Sequence, residues 1–173
     1  MVKKKKSNTW DLNISKKNVF ITETPNETRN LGMSFALLLK SGDIIFLKGN
    51  LGSGKTTFTQ GIVKAFGNKG FARSSSFMLV NEYKAPNNLK LFHLDLYRLE
   101  PSSVWSIGIE EYIYSNNISI IEWADRLIDS EKNNHWNVEI ENLATERKIT
   151  IIPAGKNRIT NENFSSRKFR KNI

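Results

Sequence analysis

Cysteine is absent from the 173 residues. That excludes disulfides, thiolate metal sites and a cysteine nucleophile, and it fits a reducing compartment. No apolar run approaches the roughly 18 residues that a membrane span requires. Lys3 to Lys6 resemble the basic start of a secretory leader, but polar Ser7-Asn8-Thr9 follow in place of an apolar core. No internal repeat and no interdomain linker interrupts the chain. The expectation is one soluble, cytoplasmic domain with no membrane partner, and a hydrophobic content of 39% is enough to build its core.

Acidic residues are the minority, and the net charge is +9. The excess sits at the ends. Residues 1–17 hold six Lys and one Asp, and residues 154–173 hold six Lys or Arg and one Glu, so each end carries +5 and the middle only −1. Charge runs of this kind are usually solvated and disordered. Electrostatic attraction to RNA or to a partner is the functional alternative. The domain proper is expected over 18–153, between a basic N-terminal tail (1–17) and a basic C-terminal tail (154–173).

What is present is Gly49-Asn50-Leu51-Gly52-Ser53-Gly54-Lys55-Thr56. It fits G-x-x-x-x-G-K-[ST], the P-loop. Its flanks fit too. Ile44-Ile45-Phe46-Leu47 suits a strand buried on both faces. Phe58, Ile62, Val63 and Phe66 fall on one helical stripe. In such a strand–loop–helix unit, backbone N–H groups curl around phosphate oxygens and the helix start adds its positive end. Gly52, Ser53, Gly54, Lys55, Thr56 and Thr57 are therefore candidate nucleotide-binding residues. Lys55 would reach the β/γ-phosphates, and the Thr56 hydroxyl would bind Mg²⁺.

Around this unit, Val19-Phe20-Ile21 reads as a short strand. Thr24-Pro25-Asn26-Glu27 reads as a capped helix start. Leu31, Phe35, Leu38 and Leu39 form that helix's stripe, with Gly42 at its end. Ser74 to Ser76 reads as a polar loop, and Phe77 to Ala85 and Leu89 to Tyr97 as a hairpin turned at Pro86-Asn87-Asn88. In its second strand Phe92, Leu94 and Leu96 share one face, and His93, Asp95 and Tyr97 the other. Residues 101–116 read as one or two short helices broken near Gly108. Ile118 to Ile121 reads as a strand, 124–130 as a short helix, and 136–140 with 149–151 as a final hairpin. The fold class is α/β: a single P-loop NTPase domain with a mixed sheet, a parallel P-loop core, antiparallel hairpins and helices on both faces.

A Mg–nucleotide site also needs a carboxylate, commonly at a strand end. Asp95 and Glu122 each end a predicted strand, and spacing alone does not separate metal ligand from water-positioning group. His93 reads as a locally satisfied strand residue. Trp105, Trp123 and Trp136 read as core or partner-surface residues.

These blocks together resemble the bacterial TsaE family, whose members read roughly G-D-L-G-A-G-K-T-T, S-P-T-F-x-L-V-x-x-Y, H-x-D-L-Y-R-L, G-x-E-E-Y and I-E-W-x-E-R. Here Gly49 to Thr57 gives G-N-L-G-S-G-K-T-T and Ser74 to Tyr83 gives S-S-S-F-M-L-V-N-E-Y. His93 to Leu99 gives H-L-D-L-Y-R-L, Gly108 to Tyr112 gives G-I-E-E-Y, and Ile121 to Leu127 gives I-E-W-A-D-R-L. The P-loop alone says only nucleotide binding; the D-L-Y-R-L and E-W blocks are far more specific. The resemblance implies an ATPase needed for threonylcarbamoyladenosine at position 37 of tRNAs reading ANN codons. ATP would be the substrate and Mg²⁺ the cofactor. The implied partners are the TsaB and TsaD proteins, with tRNA met indirectly through their complex. Thr56 and Glu122 would bind Mg²⁺, and Asp95 would be a second acid of the same site. Adenine would sit near Pro25 to Thr28. Ser76 stands at the family's switch threonine and keeps its hydroxyl, and Ser75 replaces the family proline. Trp123, beside the metal carboxylate, is a candidate for coupling to the partner. A small-molecule kinase is the alternative, but such kinases usually carry an arginine-bearing lid, and only Arg126 and Arg147 lie where one would be. An RNA-binding module with the tails as its footprint ranks lower.

Overall fold

The computed structural model describes residues 2–3, 10, 12, 16–68, 79–127 and 135–154. The expected loop at Ser74 to Ser76, the start of the strand from Phe77, residues 128–130 of the expected short helix and the C-terminal tail beyond Ala154 lie outside the described residues.

Among the described residues eight strands form one sheet in the order β1-β2-β8-β7-β3-β6-β5-β4. They are β1 (Val2–Lys3), β2 (Asn18–Thr22), β3 (Ile44–Lys48), β4 (Val80–Lys84), β5 (Lys90–Asp95), β6 (Ile118–Glu122), β7 (His135–Asn142) and β8 (Arg147–Ala154). β3 lies parallel to both β6 and β7, and β5 lies parallel to β6. Antiparallel β4, β8 and β2 extend this core outward. The sheet is therefore mixed, with the P-loop strand at its centre. Ile44 to Leu47 and the whole of β6 are buried, and on β3 that burial on both faces reads as a continuous apolar run.

Each face of the sheet carries its own core. On one face α1 (Pro25–Ala36) and α2 (Lys55–Ala65) cover Ile45, Leu47, Leu91, Ile120, Trp136 and Val138. Phe35 meets the Trp136 ring edge-on at 5.0 Å and the Phe58 ring at 5.6 Å. On the other face two 3₁₀ turns (Pro101–Ser103 and Trp105–Ile107) and the single-turn α3 (Glu110–Ile113) cover Phe46, Phe92, Leu94 and Ile121. Gly108, with φ of 74°, separates the turns from α3, where the break was expected. Helical structure thus lies on both faces.

The N-terminus of α1 is capped as its sequence predicts: Glu27 N–H donates to Thr24 Oγ1 at 3.2 Å. The reciprocal bond differs from a standard capping box, because Glu27 Oε2 accepts from Glu23 N–H one residue earlier. The C-terminus is a correction. α1 stops at Ala36 rather than near Gly42. Beyond it, the N–H groups of Leu37, Leu38 and Leu39 turn to carbonyls three residues back. The buried Asp43 carboxylate then draws the chain toward β3, accepting from Lys40 N–H at 2.9 Å and from the Trp136 indole at 3.3 Å. Gly42, at φ 78°, shapes that turn instead of capping the helix. Leu38 and Leu39 still pack against the core, but from this turn.

Of the N-terminal residues, the described ones meet the domain. β1 pairs with β2, and Trp10, only 7% exposed, meets Phe20 edge-on at 5.3 Å. Leu12 packs against the same core. No helix among the described residues is long and apolar enough to cross a membrane.

Candidate functional site

The site forms where the C-terminal ends of β3, β5 and β6 meet the start of α2. Register sets the acids: Leu47 of β3 pairs with Glu122 of β6, and Glu122 pairs with Asp95 of β5. The P-loop leaves β3 directly beside them. Gly49 has φ of 142°, and a Cβ there would stand 2.2 Å from the Ile140 carbonyl oxygen of β7. No other residue fits so close an approach in that backbone conformation. α2 then opens at Gly54 with no side-chain cap. Its first N–H groups are thus left for a ligand, the arrangement that favours anions.

The loop encloses a cavity of about 530 Å³ lined by Gly52, Gly54, Lys55, Thr56, Thr57, Asp95, Glu122 and Trp123, among others. Eight of the residues expected from sequence therefore meet in one place. Ser53 does not line the cavity: it is fully buried beneath the loop, with no hydrogen-bond partner for its Oγ. Pro25 does not line it either. It starts α1, which approaches the loop one turn later, with the Thr28 methyl 3.8 Å from where a Gly54 Cβ would be. Ser76 lies outside the described residues.

Glu122 is the hub. It is 2% exposed, and three side chains hold it. Thr56 Oγ1 donates to its Oε2 at 2.9 Å, and Thr59 Oγ1 donates to its Oε1 at 3.2 Å. His93 Nε2 lies 2.8 Å from the same Oε1. Asp95 stands at the mouth, where its Oδ1 accepts from Tyr97 N–H at 3.1 Å.

The Lys55 ammonium donates to the carbonyls of Gly49 and Asn50 at 2.7 and 2.9 Å. The Trp123 ring covers it at 3.9 Å. Burial pushes the Lys55 pKa below its ordinary value, outweighing the pull of Glu122, Asp95 and Asp125 in the opposite direction. Trp123 reaches the lysine because its backbone is left-handed, φ 60° and ψ 41°, a conformation costing a bulky residue about 1–3 kcal/mol. Tyr97 packs on Trp123 at 4.8 Å, and the Arg126 guanidinium lies 5.8 and 5.9 Å from the two rings.

Sequence reasoning missed three parts of this arrangement. His93 precedes Asp95 by two residues, so strand alternation already put them on one face. Thr59 follows Thr56 by one helical turn. Arg147 carried no local signal; β8 brings it back across the loop, where its Nε donates to the Ser53 carbonyl at 3.1 Å.

The donor set suits a hard divalent cation. Thr56 and Glu122 offer a hydroxyl and a carboxylate, with Asp95 nearby, and all are oxygen ligands. No group of three or more His, Cys, Asp or Glu among the described residues could hold a metal alone. Mg²⁺ is such a cation: it keeps waters and takes substrate phosphate oxygens beside one or two carboxylates.

Residues 22–149 match the family model described as threonylcarbamoyl adenosine biosynthesis protein TsaE. The chain belongs to the TsaE family. It is 33% identical over 135 residues to the tRNA threonylcarbamoyladenosine biosynthesis protein TsaE of Bacillus subtilis (strain 168), covering 78% of this chain and 84% of that one. It is 39% identical over 107 residues to the TsaE of Rickettsia bellii (strain RML369-C), covering 61% and 73%. The crystal structure of Bacillus subtilis YdiB superposes with a TM-score of 0.68 at 30% identity, covering 83% of this chain and 89% of that one. TsaE is a family of tRNA threonylcarbamoyladenosine biosynthesis, so the family and fold expected from the sequence motifs are both borne out.

Proposed function

We propose that this protein is a Mg²⁺-dependent ATPase that supports threonylcarbamoylation of adenosine 37 in tRNA by binding and resetting a TsaB–TsaD complex. One observation carries the ATPase reading. A single cavity unites the uncapped start of α2, the Lys55 ammonium and a buried carboxylate hydrogen-bonded to the Thr56 hydroxyl.

The chemistry follows from these groups. N–H groups of the loop and of the first turn of α2 would hold the β/γ-phosphates. Lys55 would leave its carbonyl partners to stabilise charge on the transferred phosphoryl group. Thr56 and Glu122 would hold Mg²⁺, which when bound neutralises phosphate charge. Asp95, at the cavity mouth, or Glu122 would accept a hydrogen bond from the attacking water and so orient it. Trp123, stacked on Lys55, would shift as the lysine turns to phosphate, and could thereby report nucleotide state to the partner. The serine at position 76 would take the switch role through its hydroxyl.

Hydrolysis of ATP by the purified chain, alone and with purified TsaB and TsaD, tests this, with Lys55→Ala as blank. Weak turnover alone that rises at least tenfold with the pair is expected. Strong turnover indifferent to the pair would overturn the assembly reading and send the search to kinase acceptors. Trp123→Ala is expected to keep nucleotide binding but lose most of the stimulation. Full stimulation in that variant would remove Trp123 from the coupling.

A further inference from the structure

We infer that His93 is a positioning residue, which fixes the Glu122 carboxylate so that Oε2 stays turned toward Thr56. The inference rests on the proposed role of Glu122 and Thr56 as metal ligands, and deepens it.

The argument begins with strand geometry. His93 lies on β5 two residues before Asp95, on the strand face that looks toward α2. Glu122 ends the neighbouring β6 on the same face, and Thr56 and Thr59 look down from α2. The His93 side chain is wholly buried and that of Glu122 is 2% exposed. At that depth the imidazole has no solvent to turn to, so the protein must supply its partner. An ionised carboxylate only accepts, so His93 donates from Nε2, at 2.8 Å. Nδ1 has no hydrogen-bond partner. A bare lone pair there costs less than an orphaned N–H would.

The two carboxylate oxygens are thus treated differently. Oε1 takes two donors from the protein interior, His93 Nε2 and Thr59 Oγ1. Oε2 takes one, the Thr56 hydroxyl, on the cavity side. Two donors on the inner oxygen pin the rotation of the group about its terminal bond. The outer oxygen and the hydroxyl then form a pre-set pair of oxygen ligands. Support of a ligating carboxylate from behind typically changes metal affinity 10–100-fold. Without it, the carboxylate can turn inward or swing, and the metal loses a fixed ligand while the P-loop remains intact.

The test uses the full chain with ADP, and Mn²⁺ as a paramagnetic stand-in for Mg²⁺. Free and bound Mn²⁺ are separated by electron paramagnetic resonance. His93→Leu is expected to weaken Mn²⁺ uptake by the ADP complex about tenfold or more. His93→Gln, whose amide nitrogen can occupy the Nε2 position, is expected to stay within about threefold of wild type by the same reasoning. ADP affinity measured in EDTA is expected to be unchanged in both, which a general collapse of the site would not leave so. Uptake by His93→Leu equal to wild type, or loss by His93→Gln as large as by His93→Leu, overturns the inference. Where His93→Leu does not fold, Thr59→Val decides. A weakening of Mn²⁺ uptake with EDTA-phase ADP binding intact supports the pinned carboxylate, and no weakening overturns it. Wild type that takes up no Mn²⁺ with ADP present overturns the metal reading itself and this inference with it. Wild-type uptake with unchanged variants overturns only the positioning.

Discussion

Lys55→Met is expected to lower ATP turnover by about 10²–10³-fold, the usual loss when one charge-stabilising donor is removed from a site closed to water. Stability should not follow activity. Lys55 is 4% exposed, and burial holds its folded-state pKa below the ordinary 10.5. A lysine with a lowered folded pKa costs the fold stability wherever it is protonated in both states. That cost is full below the folded pKa and is relieved as pH rises through it toward the unfolded value. Wild type should therefore gain stability with pH in the alkaline window below about 10.5, and Lys55→Met should lack that gain. The two carbonyls that lose their donor belong to the half-exposed Gly49 and the exposed Asn50, which can turn to water. Urea unfolding at pH 7 and pH 9.5 checks both halves. Met should be at least as stable as wild type at pH 7, and the difference should shrink at pH 9.5. A variant clearly less stable at pH 7 would mean that the lysine's three contacts outweigh its desolvation, and that the site is not stability held in reserve for chemistry.

The same residue shows why the site was legible. Its signals were local or periodic. The P-loop is contiguous, both acids end strands, and strand alternation sorted Phe92, Leu94 and Leu96 from His93 and Asp95. A parallel β3–β6–β5 order then brings the strand ends together, and the apolar run of β3 already marked that strand as buried on both faces. What sequence reasoning lost were contacts decided at a distance. The turn after α1 is held in part by Asp43, whose bond to the Trp136 indole joins residues 93 apart in the chain. Trp10 lies in a basic stretch, and its burial against Phe20 has no periodicity to announce it. Arg147 reaches the P-loop only because β8 pairs with β7, and no motif marks it. His93 was in view but read as merely satisfied, because nothing in the sequence gives a partner's depth.

Gly61→Ala should lower the melting temperature by about 5 °C or more, although helix propensity alone predicts the opposite sign. An alanine in a helix interior is favoured over glycine by about 1 kcal/mol. Here a Cβ at Gly61 would lie 2.0 Å from the Arg29 carbonyl oxygen and 3.0 Å from the Gly32 Cα, both on α1. The reciprocal contact is as tight: a Cβ at Gly32 would lie 2.2 Å from the Phe58 carbonyl oxygen of α2. These obstacles are backbone, so no rotamer change removes them, and the two helices must part by about an ångström or more. Parting them loosens Phe35 against Phe58 and Trp136. Overpacking of this kind costs about 1–3 kcal/mol and more where backbone must move. A net loss near 2 kcal/mol corresponds to about 4–8 °C in a domain of this size. Since α2 begins at the P-loop and packs closely on α1, the same displacement should also weaken ADP binding. Lys64→Ala, an exposed change in the same helix, should move the melting temperature by less than about 2 °C. If Gly61→Ala melts higher than wild type, propensity has won and the α1–α2 crossing is looser than this geometry; if it melts lower while Lys64→Ala does not, the glycine pair sets how closely α1 supports the helix that carries the site.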